Sequence, residues 1–167
     1  PAWTKDAIWY QIFTERFYNG DTKNDPTQKS ISVEPIGQVA PDDWKITRWT
    51  QNWYEQESWA RHLNQPLNQT MQLRRYGGDL QGVILKLDYL KSLGINAIYF
   101  NPLNHAPSLH KYDASYYHHI DAHFGPDPEG DLALIAKENP ADPATWVWTS
   151  ADKLFLELIK KAHAKGI

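Results

Sequence analysis

His110 and Tyr112 alternate with Lys111 and Asp113 in a polar loop that follows the short apolar run Ile95-Asn96-Ala97-Ile98-Tyr99-Phe100. Loops beyond the C-terminal ends of parallel strands are where α/β proteins gather binding and catalytic groups. An imidazole and a phenol in alternation suit ligand contact, although a tyrosine there can equally pack a rim. Asn101, at the end of the run, either reaches a ligand or only bonds backbone. A second set, Asn19, Asp21, Asn24 and Asp25 beside Gly20, places four oxygen donors within seven residues. Such a loop can wrap a hard cation such as calcium, which takes about six to eight oxygens. Taken alone, these residue types fit a solvated turn better. His118, His119 and His123 contain an i,i+4 pair, a spacing found in helical zinc sites. No Glu follows the first His, and the flanking residues read as loop, so solvated or structural histidines are the better reading. Asp113 and Asp121 are read as turn or cap residues rather than as a catalytic pair.

The elements that must hold these groups are legible in outline. Ala7 to Phe13 is a nearly continuous apolar run, as expected of a parallel strand buried on both faces. Asp79 is a natural N-cap for a helix bearing Leu80, Val83, Ile84, Leu87, Leu90 and Leu93, and Gly94 stands where a left-handed residue closes it. Ile95 to Phe100 is then the second buried strand. Gly125-Pro126-Asp127-Pro128-Glu129-Gly130 reads as a turn cluster. Thr149 with Asp152 predicts a capped helix start, with Leu154, Phe155, Leu158, Ile159 and Ala162 following and Gly166 ending it. From Thr22 to Arg75 no helix or strand period emerges. Pro26, Pro35, Pro41 and Pro66 punctuate it, Trp44, Trp49, Trp53 and Trp59 are spread through it, and Trp53 to Leu63 is assigned a short helix. An excursion this long inside one domain points to a functional insertion.

At 167 residues the chain is long enough for one domain, whereas a complete (β/α)8 barrel needs about 250. A net charge of −3 implies no nucleic-acid or anionic-membrane partner, and there is no apolar run of membrane-spanning length. The absence of cysteine excludes disulfides and thiolate metal sites but leaves the compartment open, with a periplasmic or secreted protein set ahead of a cytoplasmic one. Pro1-Ala2-Trp3-Thr4 does not read as a signal peptide; it fits a mature or trimmed start. Eight Trp and nine Tyr fit either a core of large side chains or a surface of flat faces that stack on pyranose rings.

Three motifs in order carry a family resemblance. The run Trp9-Tyr10-Gln11-Ile12-Phe13-Thr14-Glu15-Arg16-Phe17-Tyr18-Asn19-Gly20-Asp21 resembles the first barrel strand and loop of the α-amylase family. Residues 76–102 resemble that family's first helix and second strand. His110-Lys111-Tyr112-Asp113 is similar to the loop after the second strand, which builds the sugar site. The branches it looks most like are neopullulanases, cyclomaltodextrinases and maltogenic amylases. The chain departs from the pattern at Glu15 and Tyr116, where the family has Asp, and at Ala122, where it has Pro.

The resemblance implies an α/β fold: the N-terminal β-α-β-α portion of a (β/α)8 barrel, with residues 26–75 an irregular Trp-rich insertion in the first βα loop and Ile167 opening a third strand. It implies a parent enzyme acting on α-1,4-glucans, maltodextrins, starch or cyclodextrins by double displacement. Tyr112 would stack on the sugar ring beside the cleaved bond, His110 would bind hydroxyls, and Asn101 would add a weaker contact. It also implies structural calcium held by Asn19, Asp21, Asn24, Asp25, the carbonyl of Gly77 and the side chain of Asp79. The catalytic carboxylates are expected beyond Ile167, so the chain alone is expected to be inactive. One alternative is a non-catalytic glucan-binding or scaffold protein of the same fold. Another is a metal-dependent protein built on His118, His119 and His123. Oligomeric state is left open.

Overall fold

The computed structural model describes residues 1–31, 39–49 and 52–167; Pro35, one of the prolines of the irregular stretch, lies outside them. Strand β1 (Trp9–Ile12) runs into a single helical turn, α1 (Thr14–Phe17). Three further single turns follow, α2 (Gln28–Ile31), α3 (Ser58–Arg61) and α4 (Leu67–Thr70). The long helix α5 (Leu80–Ser92) then leads into β2 (Ala97–Phe100), and α6 (Pro128–Ile135) and α7 (Ser150–Ala164) complete the order. The strands are parallel, with Trp9 opposite Ala97 and Ile12 opposite Phe100, and α5 is the crossover between them. A parallel pair needs such a crossover, because a tight turn only joins antiparallel neighbours.

The described residues cover one face of the first strand: Tyr10 and Ile12 turn toward the core while Trp9, on the opposite face, is 51% exposed. With only two strands paired, alternation decides which side chains are covered. The second strand begins at Ala97, two residues later than the apolar run suggested, because Ile95 and Asn96 are spent on the turn out of α5. The amide of Ile95 donates to the Leu90 carbonyl there.

α5 matches its reading. The Asp79 carboxylate accepts from the Gly82 amide at 2.5 Å, and Gly94 takes φ 80° at the exit. Its buried stripe of Leu80, Val83 and Leu90 packs with Ile12, Ile95, Leu103, Phe124 and Leu158 in the main core. Leu93, expected on that stripe, is 50% exposed. Helix α7 carries the expected capping box between Thr149 and Asp152. The run 125–130 is not simply a turn: Asp127 caps α6 by accepting from Gly130, and Pro128 supplies the first helical residue, where its missing N–H costs nothing. Asp131 of α6 then accepts from Ser150 and Ala151, tying α6 to the start of α7.

The stretch between β1 and α5 has a small core of its own, made of Ile31, Ala40, Trp44, Trp59, Ala60 and Leu73. The Trp44 indole donates to the Leu73 carbonyl at 2.9 Å, and Arg74 pairs with Glu57 at 2.6 Å, both side chains largely buried. The expected helix over 53–63 shortens to Ser58–Arg61. Trp44 and Trp59 therefore pack, whereas Trp49 and Trp53 are 59% and 72% exposed.

Candidate functional site at the strand ends

The loop after β2 folds back on itself. Asn104 and Ile120 form an antiparallel bridge, and the Asp121 amide donates to the Leu103 carbonyl at 2.8 Å. At its root sits Asp121, 1% exposed. One carboxylate oxygen takes the Lys111 ammonium at 2.7 Å and the Ala106 amide at 3.3 Å; the other accepts from the His123 amide at 3.0 Å. Burial alone would raise this carboxyl, but Lys111, His123 and His105 outweigh it and hold it far below the usual carboxylate range. Lys111 also donates to the Ala106 carbonyl at 2.9 Å and adopts φ 62°. Anchoring that side chain inward turns its two neighbours outward.

Those neighbours are His110 and Tyr112. Tyr112 is 63% exposed, with little of its ring covered by the described residues. Its amide donates to His110 Nδ1 at 3.1 Å, which makes that nitrogen an acceptor and leaves the proton of a neutral ring on Nε2. The Ser108 hydroxyl lies 3.0 Å from the same nitrogen and also bonds Asp113. Asn101 Oδ1 accepts from the Gln11 side-chain Nε2 at 2.6 Å, joining the two strand ends. The structure thus places His110 and Tyr112 together at one tip and Asn101 on the strand pair. A separate cleft of about 790 Å3 opens beside the loop root, with Glu15, Asp25, Gly77, Lys111, Asp121 and His123 among its walls.

The oxygen-donor set meets at the start of α5. Asn19 donates to Asp25 at 2.6 Å beside Gly77, which has φ 75°. A Cβ on Gly77 would stand 2.5 Å from Asn19 Nδ2 and 2.6 Å from Asp25 Oδ1, so only glycine fits. Asp79 accepts from the amides of Gly20 and Asp21 at 3.2 and 2.9 Å, clasping the first loop to α5. Asn24 donates to the Gly125 carbonyl at 3.0 Å. The side-chain carbonyl oxygens of Asn19 and Asn24 are buried with no hydrogen-bond partner. Burial, together with the charges of Asp79 and Asp21, raises the Asp25 carboxyl despite its bond from Asn19; burial also raises Asp79 against the amides that bond it. Unpartnered amide oxygens and mutually repelling carboxylates are relieved by a cation, so the donor set fits a hard divalent ion. Asp21, Asp25 and Asp79 do not, however, close to within 4.8 Å as a trio.

Glu15 lies between these regions, 3% exposed. One carboxylate oxygen accepts from the Tyr76 and Gly77 amides; the other has no hydrogen-bond partner. Burial pushes its carboxyl up to about 7, against those amides and the nearby Arg75 and Arg16.

The alternative of one metal site shared by His118, His119 and His123 needs correction. His123 lies with Asp121, at 3.3 Å, and not with His118 and His119. Those two instead meet Glu138, at 3.3 and 2.9 Å. Residue type alone gave no signal for Glu138, which reaches the histidines across 19 and 20 positions. Lys111 as the buried partner of Asp121 was equally hidden, since its neighbours suggested an exposed loop.

A parallel β-α-β unit with polar loops beyond its strand ends is the layout of barrel and doubly wound enzymes. The chain belongs to the alpha-amylase catalytic-domain family, whose sequence profile matches residues 11–139. It is 42% identical over 137 residues to a cyclomaltodextrinase of Thermoanaerobacter pseudethanolicus, covering 82% of this chain and 18% of that protein. It is 36% identical over 172 residues to an amylopullulanase of Thermoanaerobacter thermohydrosulfuricus, covering 100% of this chain and 9% of that one. Among solved structures it is similar to the cyclic alpha-maltosyl-(1→6)-maltose hydrolase of Arthrobacter globiformis in complex with maltose. That match has a TM-score of 0.57 and 28% identity, over 100% of this chain and 25% of the other. The type III pullulan hydrolase of Thermococcus kodakarensis gives a TM-score of 0.60 at 25% identity, over 96% and 22%. The chain thus spans under a fifth of the two curated relatives named here.

Proposed function

We propose that these residues form the β-α-β-α opening of a (β/α)8 barrel in a retaining glycoside hydrolase acting on α-1,4-glucans such as maltodextrins, starch and cyclodextrins. Residues 26–75 are taken as an insertion in its first βα loop. The observation that carries the reading is the loop tip: an exposed phenol ring at Tyr112 beside His110, set outward by the buried Lys111 between them. In this reading the tyrosine face excludes water and stacks on a sugar ring, while His110 Nε2–H and Asn101 take hydroxyls. Double displacement needs two carboxylates about 5–5.5 Å apart across the scissile bond. Asp113 and Asp121 are committed to holding the loop, and neither is assigned that role. Kinetics on maltodextrin and cyclodextrin with the full-length protein test the reading. Tyr112→Ala is expected to lower kcat/KM about a hundredfold, and Tyr112→Phe to be mild because stacking uses the ring. Full activity in the alanine variant overturns it.

Calcium belongs to the same proposal. Asn19, Asp21, Asn24, Asp25, Asp79 and the Gly77 carbonyl would hold the ion, which would supply structural cross-linking of the first loop to α5 and no chemistry. Support comes from the two unpartnered amide oxygens. Calcium at about a hundred times its dissociation constant stabilises a native state by about 2.7 kcal/mol. Chelator should therefore lower the melting temperature of the parent and leave Asp21→Ala nearly unmoved. Parent and variant responding alike to chelator would remove the metal from this site.

A further inference from the structure

The loop after β2 and the segment between α6 and α7 meet at a cluster that the glucan reading does not use. His118 Nε2, His119 Nε2 and Glu138 Oε2 all lie within 4.8 Å of one another. The His118 and His119 nitrogens stand 3.3 and 2.9 Å from the same carboxylate oxygen. Tetrahedral zinc, with bonds of about 2.0–2.2 Å to nitrogen and oxygen, sets its ligand atoms about 3.3 Å apart. Both separations from the carboxylate oxygen are therefore close to the ligand spacing of such an ion, and the third pair lies within 4.8 Å.

Each group is also held from behind, so that its converging end meets the other members of the cluster. His119 Nδ1 is bonded to Asp152 Oδ2 at 2.8 Å, which fixes the ring and leaves Nε2 to face the cluster. Asp152 is itself fixed by the amides of Ile120 and Thr149, at 2.9 and 3.1 Å. Glu138 Oε1 accepts from the Val147 amide at 2.6 Å, leaving Oε2. The His118 ring stacks on Trp146, with centroids 4.1 Å apart and planes at 20°. A carboxylate behind a ligating histidine is the usual support of a zinc site, setting tautomer and orientation. Side-chain exposure is 14% for His118, 2% for His119 and 2% for Glu138, so the ligands are shielded from competing water.

We propose that His118, His119 and Glu138 bind a divalent transition metal, zinc by chemistry, with Asp152 positioning His119. Two imidazoles and one carboxylate suit zinc over calcium, which prefers oxygen alone. The ion would take the place of the proton that His119 now shares with Glu138, and a water would complete the shell. It would fasten the root of the sugar-site loop to the segment just after α6, with α7 joined to it through Asp152, which makes it a structural cross-link distinct from the Asn19–Asp79 set.

The test uses the full-length protein, stripped by chelator and then saturated with calcium so that any oxygen-rich site is silent. Zinc titrated by calorimetry is expected to bind at one equivalent per chain, and cobalt in its place to give the visible absorption of a tetrahedral centre. Glu138→Gln keeps the Val147 hydrogen bond, and His118→Phe keeps the stack on Trp146, so both should fold; circular dichroism checks this. Each is expected to weaken zinc binding more than about tenfold and abolish the cobalt bands. No zinc binding by the parent overturns the proposal, as does binding unchanged in both folded variants. The cobalt spectrum of the parent decides the matter even if neither variant folds: octahedral bands overturn it. None of these outcomes bears on glucan hydrolysis, which the Tyr112 variants test separately.

Discussion

Two carboxylates buried beyond the ends of the two strands have opposite fates. Asp121, in the loop after β2, is 1% exposed and lies far below the ordinary carboxylate range. Glu15, in the turn after β1, is 3% exposed and is pushed up to about 7. Burial costs both the same kind of desolvation, so depth does not separate them. The partners do: Asp121 has an ammonium at 2.7 Å, whereas Glu15 accepts two amides on one oxygen and nothing on the other. The lesson of this pair is that a buried acid keeps its charge where a cation bonds it directly, as Lys111 does Asp121, and not where the guanidinium charges of Arg75 and Arg16 only stand nearby, as at Glu15. At the loop after β2 that fixed charge sets the geometry of the tip; after β1 the charge itself varies with pH.

The largest expected effect comes from making Asp121 resemble Glu15. Lys111→Met keeps the length of the side chain but leaves a buried carboxylate without its cation. Removing one partner of a buried pair costs about 3–5 kcal/mol. Urea unfolding of the full-length protein at neutral pH should show that loss, and part of it should return on acidification, as the orphaned Asp121 takes up a proton. A variant within about 0.5 kcal/mol of the parent would mean that the pair does not hold the loop.

Next in size is the pH dependence carried by Glu15. Its folded value of about 7 lies above the ordinary 4.5 of a glutamate, so the native state binds its proton more tightly than the unfolded chain. The stability this group contributes is full below about 4.5 and is lost as pH rises to about 7, a difference of roughly 3 kcal/mol. Glu15→Gln cannot ionise and should flatten that stretch of the stability curve, leaving the variant more stable than the parent at pH 8. Parallel curves for parent and variant between those limits would show that the carboxyl is ionised throughout.

How far each feature could be read from sequence follows from the distance its interactions span. The Asp79 cap, the Thr149–Asp152 box and the Gly94 exit involve neighbours within four positions, and all three stand as read. The crossover order of strand, helix and strand was equally legible, because a helical stripe between apolar runs has few other solutions. Burial of the first strand shows on one face only, where Tyr10 and Ile12 meet the core; Trp9 lies on the face that the described residues leave uncovered. The small core around Trp44 and Trp59 was invisible, since tryptophans spaced by loops carry no period. At the candidate site, residue type marked His110 and Tyr112, but their outward setting depends on a lysine whose partner is ten positions away. Glu138 could not be joined to His119 by any local pattern.

The smallest effect belongs to His110, at the outer end of the loop that Lys111 roots. Its side chain is 47% exposed, and its bonds to Ser108 and the Tyr112 amide stay within two residues, so little packing depends on it. His110→Ala should change stability by less than about 0.5 kcal/mol, as surface substitutions do. If Nε2–H donates to a sugar hydroxyl alike in the bound and transition states, its loss removes uniform binding. One such hydrogen bond contributes about 0.5–1.5 kcal/mol, which raises KM about 2- to 10-fold and leaves kcat in place. Steady-state kinetics on maltodextrin separate the two parameters. A fall in kcat at constant KM would place His110 in the transition state instead, and a lowered melting temperature would make the tip part of the rooted structure.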